Sequence, residues 1–318
     1  MKTITRVALA LGVVALLAIV IHNDVRSIVN LLGQAGAWLL LLVPLHCLPL
    51  ALDVMGWRVL IPERTAFTTL FTIAAVREAI NRLLPVANIG GEVVGARLLA
   101  NRGVGYPMAI GSILVETLLN ILSQVVFLVL GLACLLQVTG HFESTGVVMM
   151  AVAAAAILVA LQFWILRSGL FFRGVHRLAG RKFGALEEVD SATRKITAAH
   201  AQLLKSIAWQ VSGLISGAAE TWLVLRWLGF EVSVEGAIAL ESFTLAARSV
   251  FFIVPAGLGV QEAGLAGAGS LLGIGSDVAV ALSLAKRARE IVFGLLSLAL
   301  SGHLAHPTRT PAATHHGR

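Results

Sequence analysis

Arg77, Glu78, Asn81, Arg82, Glu92, Arg97 and Arg102 stand among Leu, Val, Ile and Ala in the stretch REAINRLLPVANIGGEVVGARLLANRGVG, residues 77–105. Guanidinium and carboxylate groups in apolar surroundings suit one chemistry above others. They hold an anionic or polyhydroxylated group by charge-assisted hydrogen bonds. The stretch is too apolar for a soluble loop and too charged for an ordinary membrane span. A charge at the bilayer centre costs roughly 2.5–3.5 kcal/mol on insertion scales, so such residues mark function by default. The plainer alternative sets Arg97, Arg102 and Glu92 at the water interface, against lipid headgroups. Pro85 and the Gly90-Gly91 pair interrupt any helix here. The segment 66–103 therefore reads as two half-helices joined by an irregular turn. Non-helical backbone at membrane depth persists only when buried in protein or lining a wet cavity.

The layout returns 170 positions later, in ARSVFFIVPAGLGVQEAGLAGAGSLLGIG, residues 247–275. Pro85 matches Pro255, Glu92 matches Glu262, Gly103 and Gly105 match Gly273 and Gly275, and Trp57 matches Trp227. Pro255, Gly257 and Gly259 break this second segment, 236–276, as Pro85, Gly90 and Gly91 break the first. Paired Gly/Pro-interrupted segments in corresponding halves point to the binding site of a transporter. A lone carboxylate in low dielectric needs a cation or a proton. Glu92 and Glu262 are therefore expected to face a shared cavity near Arg77, Arg82, Arg248 and Arg287.

The rest of the chain must position these residues. It has 318 residues, 58% hydrophobic and only 13% charged, with a mean hydropathy of +0.89. Soluble domains carry roughly 25% charged residues. The expectation is an all-α, polytopic helical membrane protein. The net charge of +7 is concentrated in loops and reports topology rather than nucleic-acid binding. Aromatic residues interleaved with a basic groove are missing, so no nucleic-acid partner is expected. Cys47 and Cys134 stand alone in apolar runs, which gives no disulfide framework and no metal site. No cofactor motif is found.

Lys2 and Arg6 precede an apolar run to Ile21, expected as an uncleaved first span because no small-residue cleavage site closes it. A second span covers roughly 36–57 despite Pro44 and Pro49. His46 and Asp53 share one face of it, turned toward the protein as a structural or a functional pair. The span at roughly 107–138 carries a polar stripe of Ser112, Glu116, Asn120, Ser123 and Gln124. The stripe faces a polar interior, either for function or as interhelical hydrogen-bond glue.

A fourth span is expected over roughly 146–166. The basic segment 167–205 follows, with Arg173, Arg177 and Arg181 spaced for an amphipathic helix on an anionic membrane face. A solvated connector is the alternative. Within it, 186–204 puts Val189, Ile196 and Leu203 on one face. The fifth span, roughly 207–228, carries Gly213-x-x-x-Gly217 with Glu220 on the same side. The last, roughly 278–302, has Ser283, Arg287, Glu290, Ser297 and Ser301 in a stripe, with Lys286 placed to pair with Glu290. The tail 304–318 reads as disordered.

Positive-inside counting places 167–205, the N-terminus and the C-terminus in the cytoplasm. About six full spans plus two broken re-entrant helical hairpins then form an inverted repeat, the architecture of alternating access. Its halves are roughly 1–138 and 146–303 of a single integral domain, 1–303.

RExxNxLLPVANIGGEVVGARLL (77–99), VPAGLGVQEAG (254–264) and LAKRAREIVFG (284–294) together resemble the flippase-like family, the transmembrane domain of lysylphosphatidylglycerol synthases. The wording around Pro85–Arg97 and Ala285–Glu290 is most similar to its hopanoid-biosynthesis-associated branch. The resemblance spans nearly the whole chain. It implies a bacterial inner-membrane protein that handles lipids, with hopanoid transport as the branch's role. Full synthases append a soluble aminoacyl-transfer domain to which nothing here corresponds, so no lysyl transfer is implied.

Three functions compete. The first is a lipid transporter or flippase, for a hopanoid or alternatively a phospholipid or polyprenyl lipid. Arg77, Glu78, Asn81, Arg82, Glu92, Arg97, Glu116, Arg248, Glu262, Arg287 and Glu290 are its candidate lipid-binding residues. The second is a non-transporting scaffold for lipid-synthesis or export proteins, docked through the basic loop. The third is an intramembrane enzyme, against which stands the lack of any H-E-x-x-H, any G-x-S-x-G or any carboxylate pair with metal-ligand spacing.

Overall fold

The computed structural model of the protein describes residues 25–63, 65–84, 90–140, 184–250 and 259–304. The expected first and fourth spans, the Arg173–Arg177–Arg181 stripe, Pro85, Pro255, Gly257 and the tail beyond Leu304 lie outside the described residues. Within them every regular element is helical.

The chain begins with α1 (Val25–Ala35), a 3-10 stretch (Gly36–Leu41), the single turn α2 (Leu42–Leu45) and α3 (Cys47–Arg58). The helix is irregular around His46. Pro49 has no N–H to give the Leu45 carbonyl, so one bond of the ladder is lost there. The first hairpin is α4 (Phe67–Leu83) and α5 (Gly90–Ala100), and the long α6 (Tyr106–Thr139) follows it. After α7 (Gly184–Thr197) come α8 (His200–Trp227), the second hairpin α9 (Val234–Val250) and α10 (Val260–Leu271), and α11 (Ser276–Leu300).

Two continuous helical stretches, Val25–Arg58 and Tyr106–Thr139, are long and apolar enough to cross a membrane. Helix α11 sorts its side chains in the sense a bilayer requires. Lys286, Arg287, Arg289 and Glu290 are buried, while Ile291, Leu295 and Leu296 are about half exposed (51%, 58% and 48%). In water this arrangement inverts the usual preference. Against hydrocarbon it satisfies the charges internally and gives the lipid an apolar face.

Helices α3 and α8 pack on each other, α4 packs on α11, and α6 packs on α9. Within each hairpin α4 packs on α5 and α9 on α10. Two large apolar cores result among the described residues. One joins Val54, Trp57, Leu70, Ile73, Leu99, Ile113 and Phe293. The other joins Ile28, Leu42, Val224, Leu225, Leu240, Leu265 and Leu282.

Four sequence expectations change. Gly90 and Gly91 open α5 instead of lying in the break, and the service of Gly91 is close approach. A Cβ on Gly91 would lie 2.3 Å from the Arg77 carbonyl oxygen, and one on Gly95 would lie 2.5 Å from Arg77 Cδ. Gly259, at φ +78°, does cap the start of α10 in a conformation that favours glycine. The Gly213-x-x-x-Gly217 pair acts only through Gly213, whose added Cβ would meet Asp53 Oδ1 at 2.7 Å, while Gly217 faces open space. Lys286 does not pair with Glu290; its partner is Glu241 of α9. Helix α8 starts at His200, several residues before the apolar run, because burying Leu203, Ser206 and Gln210 along one face is enough to extend it. Val189, Ile196 and Leu203 are all buried, as their spacing indicated.

Gly91→Ala is therefore expected to destabilise the first hairpin by about 1–3 kcal/mol. The added methyl meets backbone, which cannot swing aside as a side chain can. Thermal unfolding in detergent checks this, with Gly217→Ala as the neutral control.

Candidate functional site

Glu92 and Glu262 occupy equivalent places, the third residue of α5 and of α10. Each sits in the first turn of a helix, where free N–H groups favour an acid. In the first hairpin Asn81 locks the geometry. The Gly91 N–H donates to Asn81 Oδ1 at 2.9 Å, and Asn81 Nδ2 donates to Glu92 Oε1 at 3.3 Å. One donor of α5 that its own helix cannot satisfy is thus taken by α4. Arg77 then ties the hairpin to α6. Its guanidinium bonds Glu92 and donates to Glu116 Oε2 at 2.7 Å. It also lies over the Trp57 ring, 4.8 Å from the centroid. Trp57 in turn donates its indole N–H to Ser112 Oγ at 3.3 Å.

In the second hairpin Glu262 is fully buried. It accepts from Arg287 Nε at 2.6 Å, from Arg287 Nη2 at 3.1 Å and from Ser283 Oγ at 2.8 Å. Its neighbour Gln261 accepts from Arg248 Nη1 at 2.9 Å and donates to Ser283 Oγ at 2.9 Å. Both glutamates therefore have their cation, Arg77 for one and Arg287 for the other. They do not share one opening: Glu262 has no exposed surface, and the two belong to separate clusters.

The charges between those clusters centre on Glu290. Arg248 of α9 approaches its Oε1 at 3.3 Å, Arg82 of α4 at 3.7 Å and Arg289 at 3.8 Å. Arg82 also reaches Glu78 at 3.9 Å, Glu78 pairs with His46, and Arg289 bonds Glu220 of α8. Lys286 bonds Glu241, which also accepts from Thr221 Oγ1 at 2.6 Å. Arms of both hairpins thus meet in one array of ion pairs around Glu290, with the Lys286–Glu241 pair as a neighbour. Arg97 stays outside it, exposed on α5.

His46, Glu220 and Arg289 belong to the array, Glu241 and Lys286 pair beside it, and all five are absent from the candidate lipid-binding set. A signal for two of them exists. Lys286, Arg289 and Glu290 are spaced i, i+3, i+4, which puts them on one helix face. Glu220 shares only the side of the Gly213-x-x-x-Gly217 pair, His46 only a face with Asp53, and Glu241 has no local mark.

A bidentate or forked guanidinium can exchange one oxyanion partner for another at little cost in geometry. An array of arginines sharing acids can therefore admit a phosphate or hydroxyl-bearing headgroup and release it again. Among the described residues no group of His, Cys, Asp or Glu is arranged to hold a metal ion.

No curated protein and no solved structure matches the chain. The family described as the lysylphosphatidylglycerol synthase TM region matches residues 4–297. A family defined by membrane segments agrees with the apolar helices and with the charge-in, leucine-out sorting of α11. The chain belongs to the lysylphosphatidylglycerol synthase transmembrane-region family, a membrane family of lipid metabolism.

Proposed function

We propose that the protein moves a lipid across the bacterial inner membrane, with a hopanoid as the substrate. The observation that carries this reading is the convergence of Arg82 and Arg248, one from each hairpin, on Glu290. A charged array between two broken hairpins is costly in a bilayer and gains a purpose if a polar headgroup passes through it. Transport, rather than catalysis or scaffolding, is the role that uses it.

We read the hairpins as parts of two inverted halves, N-in and C-in, rocking about the array. The packing of α4 on α11 and of α6 on α9 supports this, because each hairpin's first arm leans on the last helix of the other half. The arginines suit an anionic or hydroxyl-rich headgroup. Ala263, Gly267 and Ser270 form an exposed strip of small residues on α10, which suits a rigid ring body. A phospholipid fits the arginines equally well and the strip less well.

The test is a deletion strain whose inner and outer membranes are separated and assayed for lipids. Hopanoid retained in the inner membrane, with synthesis intact, is the expected result. An unchanged hopanoid distribution with a shifted phospholipid balance between leaflets would favour the phospholipid.

A further inference from the structure

We infer that His46 is a proton-binding site that couples lipid movement to a proton gradient; the inference rests on the transport reading above. Both ring nitrogens of His46 face carboxylates. Nε2 lies 3.0 and 3.1 Å from the two oxygens of Glu78, and Nδ1 lies 3.5 Å from Glu220 Oε2. A neutral imidazole has one N–H, so it can serve only one of these acids, whereas the protonated ring can donate to both. The two acids come from different halves, Glu78 from α4 of the first hairpin and Glu220 from α8. The proton on His46 is therefore tied to how the halves are docked.

The surroundings agree with that role. Nδ1 and Glu220 Oε2 are both buried without a hydrogen-bond partner, so this contact is loose and open to tightening. Phe293 of α11 packs against the ring in a T-shaped pair, centroids 5.0 Å apart, and screens one side. The His46 side chain keeps 13% of its surface exposed and Glu78 keeps 19%, which leaves access for a proton. The other charges facing the site are Arg82 of α4, Arg289 and Glu290 of α11, and Asp53 further along α3. Beyond Arg289 stand Lys286 of α11 and Glu241 of α9. Arg82 and Arg289 each bind one of the two acids and also approach Glu290. A headgroup that draws these arginines away from the acids leaves Glu78 and Glu220 short of positive charge, and a protonated His46 supplies it.

In the step itself, an imidazole lone pair forms an N–H bond with a proton from water on one side of the membrane. When the halves separate and the acids withdraw, that bond breaks and the proton passes to water on the other side. No electron is exchanged.

The test uses the full chain in liposomes containing a hopanoid polyol, with leaflet exposure read by external periodate, under an imposed pH difference. One proton per lipid sustains a leaflet ratio of up to about tenfold per pH unit. The wild type is expected to build such a ratio and to lose it when a protonophore is added, and His46→Gln to show no response to the gradient. Wild-type lipid movement indifferent to the gradient, or a His46→Gln response equal to the wild type, overturns the inference while leaving transport intact. No movement under any condition contradicts transport itself. In that case, or if His46→Gln fails to fold, nitrogen-15 spectra of histidine-labelled wild type in bilayers decide. A His46 ring that passes between imidazolium and neutral imidazole as pH rises supports the site, and a ring fixed in one form overturns it.

Discussion

Glu290→Gln is expected to cut lipid flux by roughly ten- to a hundredfold while leaving the fold in place. Three guanidinium groups share this carboxylate, and each has a second partner. Arg82 keeps Glu78, Arg248 keeps Gln261 and Arg289 keeps Glu220. Neutralising Glu290 therefore strands no cation. On the proposed transport path, what disappears is the acid that would take the arginines back when a headgroup leaves. A charged hydrogen bond of this kind is worth about 1.5–3 kcal/mol, and each 1.4 kcal/mol is a factor of about ten in rate. Flux in liposomes should fall and lipid co-purifying with the protein should rise. Unchanged flux in a variant with a wild-type melting curve would remove Glu290 from the path.

Glu262→Gln is expected to act on the fold, by about 3–5 kcal/mol. Glu262 has no exposed surface and takes two bonds from Arg287. Removing one charge of a buried pair leaves the other poorly compensated. Replacing both partners with apolar residues of similar size is far milder. Thermal unfolding should thus show a large loss for Glu262→Gln and partial recovery in Glu262→Leu with Arg287→Met. Glu92→Gln should be gentler, because Glu92 is 26% exposed and Arg77 retains Glu116. Equal losses in Glu92→Gln and Glu262→Gln would show that burial does not set the difference.

The contrast between those two residues marks how far the sequence could be read. Glu92 and Glu262 stand out because a lone acid in an apolar repeat is rare, and their need for a cation follows from dielectric alone. The long α6 and its polar stripe are equally plain, since the rest of that helix is almost wholly apolar. Ser112, Glu116, Ser123 and Gln124 all find partners on other helices. Partner identity is another matter. Arg289 meets Glu220 across 69 positions and Lys286 meets Glu241 across 45. Helical spacing fixes a face and leaves open which face it will meet, so the expected local pair of Lys286 with Glu290 loses to a distant acid. His46 shows the same limit. Its shared face with Asp53 is a property of α3, whereas its contacts with Glu78 and Glu220 depend on how three helices pack. In the sequence Gly91 signals an interrupted helix, while its use lies in the Arg77 carbonyl that only tertiary packing brings near.

We propose that lipid passes through the charged array between the hairpins of this membrane protein. The most direct measurement is leaflet exchange in protein-loaded against empty liposomes, for a hopanoid polyol and a headgroup-labelled phospholipid tested separately. Faster exchange of the hopanoid polyol with wild-type protein, and its loss in Glu290→Gln, is the expected result. Exchange of both lipids at the empty-liposome rate, with folded wild-type protein in the bilayer, would contradict it.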